Sequence, residues 1–284
     1  MEITKLFEDS LAYPTKDWNK LLKFGALIVI MIIVSILGSF GFALSHLNVD
    51  MLMSGVNITL AILSILSTVI VLVIFGLIIS GYNLNIIKNT INNVESVPEL
   101  NLAKNFVDGF KVVILGIVYS IIPIIMTLIV TYATGLFNYI YQLWALLVTH
   151  GSIDLAYYPL VYGVDFSFRA IAFVAVIFFI VFGLLFLIAK AILAETGSIA
   201  EAVNIVNVFK KIDEIGWGDY IVWLILYMVI LIVIFIVTSF IMIIPLIGII
   251  IAILILIPYM NMFEARTLGL IYNESKIGSS NHED

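Results

Sequence analysis

Six long apolar runs, separated by polar stretches, set the pattern of the chain. They cover Phe24 to Leu44, Val56 to Ser80, Val112 to Ala133, Phe168 to Leu193, Tyr220 to Ile243 and Leu246 to Phe263. Each is close to the length of about 20 apolar residues that a helix needs to cross roughly 30 Å of hydrocarbon. The last two runs form one region, because Ile221 to Met260 contains no charged residue. As a single helix that region would extend about 60 Å, too long for one crossing. Pro245 and Gly248 interrupt it, so the pattern predicts a tight helical hairpin at that point.

The polar stretches on one side of these runs have a helical period of their own. Ile3, Leu6, Phe7 and Leu11 make one stripe; Leu84, Ile87, Ile91 and Val94 make a second; Ile199, Val203, Val206 and Phe209 make a third. Asparagines and charged residues fill the positions between, as in helices that lie along a membrane surface. Ser198 followed by Glu201 reads as a capping box at the start of the third. Each stretch enters a run through an acidic residue beside an aromatic: Asp17-Trp18, Asp108-Gly109-Phe110 and Asp219-Tyr220. The carboxylates are placed to cap the incoming helices, and the aromatics suit headgroup depth. The chain thus reads as three copies of a surface helix followed by a membrane hairpin. The competing reading is three unrelated juxtamembrane helices.

Composition removes most function classes. Of 284 residues, 63% are hydrophobic and 11% are charged, against about 45–50% and 25% in soluble domains. That excludes a soluble enzyme, a disordered chain and a secreted disulfide scaffold. A net charge of -6 argues against the basic surface that nucleic acid requires. Cysteine is absent, so neither a disulfide nor a thiolate metal site can form. The expected fold is all-α: one integral membrane domain of six spans over residues 1–272, with a polar tail over residues 273–284. Twelve of the thirteen basic residues lie before span 1, between spans 2 and 3, around the link between spans 4 and 5, or after span 6, and Arg169 alone lies on the other side. By the positive-inside rule both termini are expected in the cytoplasm, in the cell membrane.

The segments YPTKDWNKLLKFGALI, at Tyr13 onward, and GYNLNIIKNTINNVESVPELNLAKNFVDGFKVVILGIVY, at Gly81 onward, resemble the domain-of-unknown-function family 4013, which is frequent in methanogenic archaea. The features that carry the resemblance are Tyr13-Pro14, Lys16-Asp17-Trp18, Gly81-Tyr82, Pro98-Glu99 and Phe106-Val107-Asp108-Gly109. GWGDY at Gly216 and IPLIG at Ile244 are weaker echoes. The resemblance extends from about Leu11 to Tyr272. It implies a multi-span protein of an archaeal plasma membrane and supplies no activity or catalytic residue.

Candidate chemistry is sparse. The spans carry almost no charge at mid-depth, which argues against a proton or sodium relay. On the outer side, His46 and Asp50, and likewise His150 and Asp154, are four residues apart. Brought together, they are the weak candidates for a divalent metal and for a metal-dependent enzyme; ordinary polar residues at helix ends are the bland alternative. The outer segment Leu136 to Ser167 is rich in aromatics. It reads either as an interfacial or re-entrant helix over Phe137 to Val148, forming a lid, or as an aromatic belt. Tyr119, Pro123 and Thr127 are the weak candidates for a ligand-binding lining in span 3; close helix packing is the competing account. Asn261, Glu264 and Arg266 read as a polar cluster or as helix-end residues reaching for water. No catalytic residue and no cofactor is expected. The expected partners are membrane lipids, another protein or a second copy of the chain, and not nucleic acid. A non-enzymatic membrane scaffold that binds lipids or partners is the first functional reading. A carrier or channel for a neutral or amphiphilic molecule is the second.

Overall fold

The computed structural model describes residues 3–46, 55–150 and 158–280. Among them there are helices and turns and no strand. In chain order they form α1 (Ile3–Ala12), a 3-10 turn (Tyr13–Lys16), α2 (Trp18–His46), α3 (Gly55–Ile91), α4 (Leu102–Ala133), α5 (Leu136–His150), α6 (Tyr158–Thr196), α7 (Ile199–Val203), α8 (Ile205–Ile215), α9 (Trp217–Met242), α10 (Ile247–Ile251), a π segment (Ala252–Leu256) and α11 (Ile257–Ser280). Six stretches are long and apolar enough to cross a membrane: Trp18–Phe40, Thr59–Ile91, Leu102–Ala133, Tyr158–Thr196, Trp217–Met242 and Ile247–Glu274. The protein is an all-α, multi-pass membrane protein. Each helix extends past its apolar run, because backbone hydrogen bonding does not stop where the hydrocarbon ends.

Residues 1–114 and 188–284 make one compact unit, and residues 115–187 make another. The first unit holds its core at one end. Leu6, Tyr13, Leu21, Phe24, Tyr82, Ile87, Val208, Ile212, Trp223, Phe263 and Tyr272 are buried there. Toward the middle of the spans the large residues are exposed, among them Ile30, Ile33, Ile62, Leu66, Ile232 and Phe235. Lipid is as apolar as these side chains, so a spanning helix gains little by hiding them. The buried end is therefore the part of the unit whose packing is driven by water.

Backbone proximity in this unit depends on glycine. A Cβ on Gly81 would collide with the Asn105 carbonyl of α4, and one on Gly109 with the Leu77 carbonyl of α3. The two glycines let α3 and α4 cross at backbone contact. Gly38 of α2 similarly faces the Ser67 and Thr68 hydroxyls of α3. A Cβ on Gly25 would strike the Leu254 carbonyl. Leu254 lies in the π segment four residues before Pro258, which has no N–H to offer it. The ladder shifts register just there, with the Ile257 N–H donating to the Ala252 carbonyl, five residues back.

The hairpin expected at Pro245 is present: α9 ends at Met242 and α10 begins at Ile247. Leu246 takes a positive φ of 62° to make the turn. A Cβ on Gly248 would meet the Ile241 carbonyl, which fixes glycine at the closest approach.

The three polar stretches depart from a strict repeat. The first is α1, with Leu6 and Phe7 buried. The second is no separate surface helix, because α3 runs unbroken from Gly55 to Ile91. Gly81, placed at a helix crossing, does not break it, and Leu84, Ile87 and Ile91 are buried on its extension. The third divides at Asn204, which leaves the helix at ψ 104° and accepts the Val206 N–H at 3.0 Å. This break shifts the phase of the stripe: Val208, Ile212 and Ile215 are buried, while Val206 and Phe209 are exposed. Ser198 caps α7 as expected, accepting the Glu201 N–H at 3.3 Å. Asp17 caps α2 by accepting the Lys20 N–H at 3.1 Å. Asp108 lies inside α4, and Asn101 caps that helix instead, through the Lys104 N–H at 3.0 Å. Asp219 sits in the first turn of α9, after Gly216 at the cap.

In the second unit, the aromatic segment contains a true helix, α5, which covers the expected Phe137 to Val148. Phe137, Tyr141 and Trp144 on it are exposed, as suits an aromatic belt. Arg169 and Asp165 form an exposed ion pair at 2.9 Å on α6.

Candidate functional site

The buried end of the first unit carries a dense polar layer, and α11 organises it. Successive polar residues on this helix reach different neighbours. Asn261 accepts from the Asn83 amide of α3 at 3.0 Å, and Glu264 accepts from the Lys190 ammonium of α6 at 3.2 Å. Thr267 accepts from the Trp223 indole N–H of α9 at 3.0 Å. Tyr272 donates to Glu195 at 2.6 Å. Tyr259 donates to the Leu11 carbonyl of α1 at 2.7 Å. Two expected residues, Asn261 and Glu264, are thus neither one cluster nor free ends. With Arg266 they tie α11 to three separate helices.

Arg266 is the centre of the layer. Its Nε donates to Asp9 Oδ2 at 2.7 Å, and its Nη2 donates to the same oxygen. The guanidinium carbon lies 4.9 Å from the centroid of the Tyr13 ring, within cation–π range. Lys16 reaches the other carboxylate oxygen of Asp9 at 3.0 Å. Burial works against the Asp9 carboxylate, but its hydrogen bonds and charge pairing with Lys16 and Arg266 outweigh that and hold its pKa below the usual 3.8. Burial pushes the Tyr13 hydroxyl up. The arrangement locks α1 onto α11 across a span of sequence that no local pattern could reveal.

Two further groups complete the layer. Asn85, buried on α3, donates to Asn105 Oδ1 at 2.9 Å and to Asp108 at 3.3 Å. Asn85 and Asp108, with Lys88 and Lys111, line a small cavity of about 50 Å³. Around Tyr272, a cavity of about 200 Å³ is lined by Glu195, Glu201, Lys210, Lys211 and Glu214. Lys211 pairs with Glu214 at 2.9 Å and lies 5.5 Å from the Tyr272 ring centroid. A stacked series, Tyr220–Trp223–Tyr227–Phe263, with centroids 5.6 to 6.1 Å apart, lies beside the layer.

The residues singled out from sequence are placed as follows. In the second unit Tyr119 is buried, with its ring edge-on to Phe186 at 6.2 Å. It lines a cavity of about 150 Å³ with Gly116, Ser120, Phe179, Phe182 and Gly183. Pro123 and Thr127 are not in that lining; the Thr127 hydroxyl donates to the Pro123 carbonyl at 2.7 Å, which satisfies an acceptor of its own helix. The side chains of His46, Asp50, His150 and Asp154 lie outside the described residues. Among the described residues no group of three His, Cys, Asp or Glu gathers as a metal site.

Residues 62–243 match a family model described as "Protein of unknown function (DUF4013)". No curated protein and no solved structure matches the chain.

Proposed function

The chain belongs to the DUF4013 family, a family without an assigned activity, and from that premise we propose a non-enzymatic membrane scaffold that gathers lipids or protein partners at its cytoplasmic face. The observation that carries this reading is where the polar groups point. In the spans, the hydroxyls of Ser35, Ser64, Thr68, Ser120, Thr127, Thr131, Thr238 and Ser239 each donate to the carbonyl four residues earlier on the same helix. A carrier or channel for a neutral solute needs such donors turned toward its path. In the polar layer, the charged residues of α11 bind other helices of the unit. Rigid links of this kind support a platform better than a moving gate.

The platform's exposed edge is on α8 and the start of α9. Val206, Phe209 and Trp217 are exposed, with Phe209 and Trp217 rings 6.1 Å apart. Lys210, three-quarters exposed, projects beside them. An aromatic pair flanked by a lysine suits the headgroup layer or a partner's amphipathic helix. The orientation follows from charge. Twelve of thirteen basic residues fall in the first unit, and the positive-inside rule assigns its polar layer, with both termini, to the cytoplasm of a plasma membrane.

The test is solute flux in proteoliposomes. Vesicles carrying the protein should release small neutral solutes no faster than protein-free vesicles. Saturable release of any one solute would replace the scaffold reading with the carrier.

A further inference from the structure

We propose that the face of α2 beginning at Asn19 is a specific site for one anionic phospholipid, with its phosphate on Lys23 and one hydrocarbon chain in the groove above. The groove has a volume of about 370 Å³ and no polar lining. Ala26, Val29, Ile30 and Ile33 of α2 form one wall, and Ile249, Ile250, Ile253 and Leu254 form the other. Its shape has a structural cause. The two walls touch at Gly25, against the Leu254 carbonyl of the π segment, and the groove opens from that contact toward the α9–α10 turn. A π segment often marks a functional place in a helix, and here it carries Ile253 and Leu254 to the groove, beside Ile249 and Ile250 of α10.

Sequence spacing supplies the headgroup end. Ala26, Val29, Ile30 and Ile33 recur at three and four residues, and the same stripe continued backward passes through Lys23, Leu22 and Asn19. Lys23 and Asn19 are both exposed. Lys23 has no acidic partner among the described residues, whereas Lys16, Lys20, Lys111, Lys190, Lys210 and Lys211 each pair with a carboxylate. It lies three residues, about 4.5 Å along the helix axis, before Ala26 at the groove's near end. Trp18, next to Asn19 at the start of α2, is exposed and suits headgroup depth. An unpaired cation, an amide donor and an apolar groove, in that order along one helix face, match a phosphate followed by a hydrocarbon chain. Shape alone would not select a lipid from a bilayer of similar chains; the ammonium selects for negative charge. The site stands on this geometry and not on the scaffold reading, whose surface is the α8 edge.

The experiment is competitive reconstitution. The full chain is exchanged into nanodiscs of equal parts phosphatidylglycerol and phosphatidylcholine with identical chains, extracted in mild detergent and read by native mass spectrometry. One retained phosphatidylglycerol per chain is expected, in excess over phosphatidylcholine. Lys23→Gln should reduce that excess about fivefold while leaving the melting temperature unchanged. Ile30→Trp, which fills the groove from an exposed position, should lower retention of both lipids. Lys104→Gln, an exposed lysine elsewhere in the unit, should change nothing. Equal retention of the two lipids by the wild type, an undiminished preference in Lys23→Gln, or an equal loss in Lys104→Gln would overturn the site. An unaffected Lys23 preference alongside altered α8-edge variants would place lipid selection on the platform instead.

Discussion

Removing either partner of the Asp9–Arg266 pair breaks the same ion pair, but the two losses should differ in size. The Arg266 side chain is 6% exposed and the Asp9 side chain 30%. Deleting one partner of a buried pair costs about 3–5 kcal/mol, because the other charge is stranded. Asp9→Ala strands the more deeply buried charge, leaving it the Tyr13 ring and the Thr90 hydroxyl as contacts among the described residues. A cost of about 3 kcal/mol to the docking of α1 is expected, at the lower end of that range because water can enter where the partly exposed carboxylate stood. Arg266→Met leaves Asp9 partly hydrated and still paired with Lys16 at 3.0 Å, and should cost about 1 kcal/mol. The readout is local opening of α1. Ser10 is fully buried on that helix, and the chain has no cysteine, so Ser10→Cys gives a silent background for maleimide labelling. Where reclosing is fast, the labelling rate follows the open fraction. Asp9→Ala should accelerate it about a hundredfold and Arg266→Met about fivefold. Equal rates, or a faster Arg266→Met, would refute the assignment of Arg266 as the stranded charge. The pH dependence has a definite sign. Asp9 is held below its unfolded value of 3.8, so its contribution is complete above that pH and is lost as pH falls through the lowered folded value. Referred to the reaction of a free cysteine thiol at the same pH, which removes the loss of thiolate in acid, labelling should therefore rise below about pH 4 in the parent and remain flat in Asp9→Ala.

Other expectations follow from the packing and the topology. Gly109→Leu places a side chain on the Leu77 carbonyl and should destabilise the α3–α4 crossing by at least the 1–3 kcal/mol of an overpacked core, read as a lower melting temperature in detergent. Trp223→Phe removes the indole donor to Thr267 while keeping most of the ring stack, and a loss of about 1 kcal/mol is expected; no change in melting temperature would show that the bond contributes nothing. For orientation, Asn138→Cys on α5 should react with an impermeant maleimide added to intact cells, and Asn92→Cys should not; both positions are exposed, and the reverse pattern would invert the topology.

The spans were legible because their cause is simple: hydrocarbon demands uninterrupted apolar sequence, and all six runs carry it. The hairpin was legible because Pro245 and Gly248 stand in a region with no other punctuation. Local caps were read with mixed success. Ser198 and Asp17 cap as their types suggest, but Asp108 resembles a cap only until Asn101 is seen to start the helix seven residues earlier. The third stripe misled because one residue, Asn204, breaks the helix and rotates everything after it. The polar layer was largely hidden. Asn261, Glu264 and Arg266 were visible as a group, but their partners at Asn83, Lys190 and Asp9 lie 178, 74 and 257 residues away. No periodicity reports which distant helix a side chain will meet. Gly25 and Gly81 were likewise unreadable as contact points, since a glycine in a span looks the same whether it faces lipid or a neighbour's carbonyl.

The scaffold reading is tested most directly by the native mass spectrum of the protein extracted in mild detergent from its own membrane. The account predicts a chain that carries lipid, a further copy of itself or a protein subunit, and nothing else in fixed proportion. A stoichiometric metabolite or metal ion would contradict it and would turn attention to transport or to chemistry at His46 and His150.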